Sequence, residues 1–200
     1  MTTSLAIRLA LPLALLAPLG SLRAQQDQHL VRIGFAGGVV VPTADARNAF
    51  KTGVQGQGFL LFNLGGFPLR LNLGYQHFSL ADALKSAQSG AGAGATADGS
   101  SSILGGVAGT QINLLPGPVR PYILAGVGGF NVTNMLTSTS GLSTSTSQFS
   151  FGLDGGAGLA VSIGRLSAFV EGRVQNVYTQ KGMTNLKSIQ SVPVSFGILF

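Results

Sequence analysis

The stretch that decides the fold is Gln190-Ser191-Val192-Pro193-Val194-Ser195-Phe196-Gly197-Ile198-Leu199-Phe200, which closes the chain. Its even positions, Val192, Val194, Phe196, Ile198 and Phe200, are apolar. Ser191, Pro193, Ser195 and Gly197 between them are small or polar, and only Leu199 departs from the alternation. Successive side chains of a β-strand point to opposite faces. Period two over about ten residues therefore has the pattern and the length of one strand crossing a membrane with one face in lipid.

The same alternation recurs upstream. It predicts strands at 31–41, 54–64, 68–79, 102–114, 119–132, 148–163 and 166–178, and the terminal strand makes eight. In the first, Val31, Ile33, Phe35, Val39 and Val41 share one face, and Arg32, Gly34, Ala36 and Gly38 the other. In the third, Leu69, Leu71, Leu73 and Tyr75 oppose Arg70, Asn72, Gly74 and Gln76. In the seventh, Leu166, Ala168, Val170 and Val174 oppose Ser167, Glu171, Arg173 and Gln175. The fifth is apolar on both parities, so its faces stay unassigned.

Connection lengths carry a second signal. Those at 65–67, 115–118 and 164–165 are short, and those at 42–53, 80–101, 133–147 and 179–189 are long. A membrane barrel has short turns at one rim and longer loops at the other. An even number of strands places both ends at the rim of the short turns. The segments SAQSGAGAGATADGSSS (86–102) and TSTSGLSTSTS (137–147) are low-complexity. They read as mobile external loops, with hairpins that prolong the strands as the alternative.

At the amino end, Arg8 precedes a short apolar run over 9–19 that contains Pro12 and Pro18. Gly20-Ser21-Leu22-Arg23-Ala24 then leads into Gln25-Gln26. This reads as a cleaved signal peptide at 1–24 before a single barrel domain at 25–200.

Composition agrees. Charged residues are 9% of the chain, against about a quarter in a soluble domain, and 30 of its 200 residues are glycine. No stretch after the leader offers the roughly eighteen consecutive apolar residues of a spanning helix. Cysteine is absent, which excludes disulfides and thiolate chemistry. The net charge is +6, but the cations form no stripe, so nucleic-acid binding has no support.

Several of these features together resemble the small bacterial outer-membrane β-barrel family, which includes the OmpA transmembrane domain, OmpW and opacity-type adhesins. They are the leader, the eight strands, Arg120-Pro121-Tyr122 followed by Gly126-Val127-Gly128, the run Phe169-Val170-Glu171-Gly172-Arg173, and the terminal Phe200. The resemblance implies an eight-stranded, antiparallel, up-and-down transmembrane β-barrel in the outer membrane of a Gram-negative cell. Its implied partners are outer-membrane lipid, lipopolysaccharide and the assembly machinery, which would read Phe200 as an insertion signal. As the last residue, Phe200 is expected to be frayed from the strand ladder. The family's aromatic girdles must be thin here, because Trp is absent and only three Tyr occur.

The chemistry is sparse. The expected inward set contains Arg32, Arg70 and Arg173 with Asp154 and Glu171. Buried charges must pair or meet water, so these five read as a lumen charge network. A narrow, porin-like path for small solutes is the functional alternative. His77 and Ser79 share the outward face near the loop rim, an arrangement similar to the His-x-Ser of outer-membrane lipid A deacylases. Such a site needs an orienting acid. Asp154 and Glu171 should point inward, Asp82 falls in a loop, and Leu80 stands where those enzymes have asparagine. A rim histidine touching head groups is the plain alternative, and His29 suggests nothing. No His, Cys or carboxylate cluster has metal spacing, and the glycines of 152–158 lie within a strand, so they form no phosphate loop. The expectation is a monomeric, non-catalytic barrel without cofactor, structural or interacting through its external loops. A soluble lipocalin-like barrel is the rival fold, and it would turn Val192, Val194 and Phe196 inward.

Overall fold

The computed structural model describes residues 30–44, 46–64, 67–79, 98–137, 143–178 and 188–200. The leader at 1–24, His29, Asp82 and the connections at 65–66, 80–97 and 179–187 lie outside the described residues. The strands are β1 (Val31–Thr43), β2 (Gly53–Leu64), β3 (Phe67–Ser79), β4 (Asp98–Asn113), β5 (Val119–Thr137), β6 (Ser143–Ile163), β7 (Leu166–Tyr178) and β8 (Ser188–Leu199). A one-turn helix, α1 (Ala46–Ala49), interrupts the first long connection. Each strand pairs antiparallel with the next, and β8 pairs with β1, which closes the barrel. Closure matters because no backbone edge is left open, as lipid requires.

The wall is inside out relative to a soluble domain. Phe35 is 56% exposed on the outer face and Phe196 65%, whereas Glu171 is fully buried inside. Val192 and Val194 also lie on the outer face of β8, which excludes the lipocalin-like arrangement. Among the described residues, no helix is long and apolar enough to cross a membrane.

The short connections and both barrel termini share one rim, the turn end; the other rim is the loop end. At the turn end, Gly164 takes a positive φ of 65° in the two-residue link between β6 and β7, a backbone region that favours glycine.

Much of the glycine has a packing reason. Phe59, Tyr122, Phe130 and Phe169 point inward, and each sits opposite a glycine on the neighbouring strand: Gly34, Gly158, Gly105 and Gly197. A Cβ added at any of these four glycines would land on the facing ring. Small residues across the ladder therefore make room for large ones in a narrow lumen.

Three expectations need correction. Residues 133–137 and 143–147 are not loop: β5 and β6 run on as a hairpin to the Thr137–Ser143 pair. With 19 and 21 residues these two strands far exceed the roughly 9–11 needed to span. Hydroxyl pairs stitch the extension, Thr133 to Ser147 at 2.8 Å and Thr137 to Ser143 at 3.3 Å. Likewise β4 begins at Asp98, inside the segment read as loop. Finally, Phe200 is not frayed, for its N–H donates to the Ile33 carbonyl at 2.9 Å.

Candidate functional site: the lumen and the loop-end rim

The lumen is layered. Toward the loop end lies an apolar cluster of Val40, Phe78, Ile103, Phe130, Val177 and Ile189, with Ala46 of α1 and Phe50 packed into it. The first loop thus folds inward and caps the barrel. Toward the turn end, Phe59, Tyr122, Ala160, Phe169 and Leu199 form a second cluster. Leu199, the one residue that breaks the terminal alternation, is apolar because it faces this inner floor.

Between the two clusters lies a polar belt. Arg70 Nη1 donates to Glu171 Oε2 at 2.6 Å, and its Nη2 donates to Oε1 at 3.3 Å. Tyr122 adds a hydrogen bond to Glu171 Oε2 at 2.8 Å. Arg173 Nη1 reaches Asp154 Oδ2 at 3.2 Å, and its Nη2 donates to Gln57 Oε1 at 2.6 Å. Arg173 Nε lies 3.3 Å from Glu171 Oε1, close enough for attraction but off the line of a hydrogen bond. Gln111 accepts from Arg70 and Gln175 donates to Asp154, so β2 to β7 all contribute. The guanidinium of Arg70 also sits 3.8 Å above the Phe59 ring, joining the belt to the turn-end floor. Two cations against two carboxylates, backed by amides, is what a dry interior demands of buried charge.

Four of the five expected lumen charges thus meet: Arg70, Asp154, Glu171 and Arg173. Arg32 is inward too but stands at the turn end, where it donates to Ser167 Oγ at 2.9 Å. Arg120 converges on the same hydroxyl at 3.2 Å. Sequence reasoning missed Tyr122, Gln57 and Gln111 as members of the belt. For Gln57 and Gln111 the signal was present in their inward parity. Tyr122 could not be placed, because β5 is apolar on both faces.

Two small hollows of about 20 Å³ each adjoin the belt. Asn72 and Gln76, with unpaired side-chain oxygens, help line one, and Arg70, Asn72 and Asp154, which also carry unpaired buried atoms, help line the other. Each has the volume and the polar partners to hold a water molecule.

On the outer wall, His77 and Ser79 share a face, but His77 Nδ1 pairs with Ser102 Oγ of β4 at 3.2 Å. Tyr75 shares the same hydroxyl at 3.0 Å. The register explains the change of partner, since His77 lies directly opposite Ser102. Asp154 and Glu171 are buried inside and cannot orient this histidine. Asp98 is four residues along β4 from Ser102, roughly 13 Å at strand spacing. Among the described residues no group of His, Cys, Asp and Glu could hold a metal ion.

No protein-family model matches the chain, and no curated protein matches it. Among solved structures, Neisserial surface protein A aligns over 86% of this chain and 96% of its own, with a TM-score of 0.58 at 14% identity. A major outer membrane protein from Thermus thermophilus aligns over 86% and 99%, with a TM-score of 0.54 at 13% identity. These likenesses establish the fold, that of the small outer-membrane β-barrels.

Proposed function

We propose that the chain is a bacterial outer-membrane barrel that works through its lipid-facing wall and its loop-end surface, neither conducting solute nor catalysing a reaction. The observation that carries this reading is the sealed lumen. An ion-paired belt lies between two apolar clusters, and α1 is drawn into the upper one. A solute would have to cross hydrocarbon-like packing twice and part a buried ion pair between. The outward apolar face supports placement in a bilayer. The projecting β5–β6 hairpin, with exposed hydroxyl side chains and no charge in 131–147, supports a surface-interaction role.

In this reading the barrel is a monomer in contact with outer-membrane lipid and lipopolysaccharide. Phe200 serves as the signal read by the assembly machinery, and its half-exposed ring at the turn end suits recognition from outside the barrel. The hydrolase reading has no comparable support, because His77 pairs with Ser102, whose hydroxyl Tyr75 also engages, rather than with Ser79, and neither Asp154 nor Glu171 can orient it.

Planar-bilayer recording of the refolded protein tests the proposal. Insertion without resolved conductance steps is the expected result. Discrete, reproducible openings would overturn the sealed-lumen reading and favour the narrow pore.

A further inference from the structure

The outer wall is not evenly covered. Across β3 to β6 an apolar groove of about 610 Å³ is cut into it. Where neighbouring strands carry Leu, Val or Phe, the outward positions of β4 here are Gly106 and Ala108; on β5 Val127 also lines the groove, and the Phe149 ring lies over Gly129. A Cβ added at Gly106 would meet nothing within 4 Å. Leu71 walls the groove on one side, and Phe151 and Leu153 on the other. Toward the loop end the same face turns polar. Four residues along β4 from Gly106, roughly 13 Å at strand spacing, stands Ser102, held by Tyr75 at 3.0 Å and His77 at 3.2 Å. Beside it Thr133 and Ser147 share a hydrogen bond.

We propose that this groove holds one acyl chain of a lipid from the loop-end leaflet, with its polar head group at the Tyr75–His77–Ser102 rim. Along β4 an apolar trough, the outward Leu104 and then a row of hydrogen-bonding groups follow one another, which is the outline of an amphiphile whose chain would pass Leu104 to bring its head group to the rim. The groove is also continuous with the outward apolar surface, so lipid chains are its surroundings on every open side. Within a bilayer there is no hydrophobic gain from burial, and close packing decides which contacts persist. A chain lying in a trough touches protein on three sides, while one against the convex wall touches it on one. A second barrel is a poorer occupant: 12 residues line the groove, short of the roughly 20–30 a side that a stable protein interface uses. The inference rests on the reading of the outer wall as lipid-facing.

The chain has no Trp, so a single introduced one reports locally. The Leu73→Trp protein places the probe beside the groove, opposite Gly106 in the ladder. The Phe35→Trp protein places it on the far wall. Each is refolded in dodecylmaltoside micelles and titrated with a phosphatidylcholine brominated along one chain. Half-quenching at Leu73→Trp is expected at an about tenfold lower lipid ratio than at Phe35→Trp, a packing preference of modest size. Filling the groove with Gly106→Leu and Ala108→Leu should erase that difference, and His77→Ala with Ser102→Ala should shrink it several-fold.

Equal quenching at both probes would overturn the site. Loss on filling the groove but not on altering the rim would overturn the loop-end assignment. Wild-type dimers that Gly106→Leu splits would give the groove to a second copy instead. A Phe35→Trp probe that stays unquenched even in vesicles of the brominated lipid would instead defeat the lipid-facing reading itself.

Discussion

Arg70 and Glu171 lie 101 residues apart in sequence, yet their side chains meet at 2.6 Å in the middle of the lumen. Three strands separate β3 from β7 either way round, so the two stand on opposite sides of the closed sheet. The contact therefore exists only when the barrel is closed, which makes it a direct report of the complete fold.

Breaking this pair should be costly. Glu171→Ala would leave Arg70 buried and short of its carboxylate, a loss of about 3–5 kcal/mol. Urea unfolding of the refolded protein in detergent or vesicles should show a clearly lowered midpoint. A midpoint equal to that of wild type would mean that the lumen is wet enough to solvate the stranded guanidinium.

Two adjacent glycines should respond differently. Gly105 faces inward, where an added Cβ would land on the Phe130 ring, whereas Gly106 faces outward into open space. Gly105→Ala should destabilise by about 1–3 kcal/mol through overpacking, while Gly106→Ala should change little. Equal effects in the same unfolding assay would contradict the aromatic-over-glycine packing of the lumen.

The wall pattern was legible because polar and apolar residues alternate wherever the lumen is polar. It failed where the lumen itself is apolar. On β5 the inward Tyr122, Phe130 and Val132 belong to the two apolar clusters, so neither parity stands out. Leu199 breaks the terminal pattern for the same reason. The β5–β6 extension was hidden because a Ser/Thr run reads as low-complexity loop, although paired hydroxyls can support a ladder. The partner of His77 required the β3–β4 register, which no local pattern encodes. The outer groove likewise emerges only when β3 to β6 are laid side by side.

Phe200 separates assembly from stability. Its backbone contributes one hydrogen bond to β1, so its deletion should cost on the order of 1 kcal/mol after refolding in detergent. The yield of folded protein in cells should fall far more steeply, as read by heat-modifiable mobility in gels. Matched losses in the two assays would assign the residue to packing and remove its role as a signal.

The rim histidine should be chemically silent. Ser79→Ala, with His77 retained, is expected to leave the acyl pattern of the surrounding lipid A unchanged by mass spectrometry of cells that express the protein. An acyl chain removed by wild type and retained in Ser79→Ala would restore the hydrolase reading.

The central claim, a barrel set in the outer membrane with its loop end outward, is tested most directly by cysteine labelling of intact cells. The native chain has no cysteine, so single substitutions report cleanly. Ser145→Cys lies on the projecting hairpin, and Arg165→Cys in the turn between β6 and β7. A membrane-impermeant maleimide should label Ser145→Cys on whole cells and reach Arg165→Cys only after the outer membrane is opened. Labelling of Arg165→Cys alone would reverse the orientation, and labelling of neither until lysis would contradict placement at the cell surface.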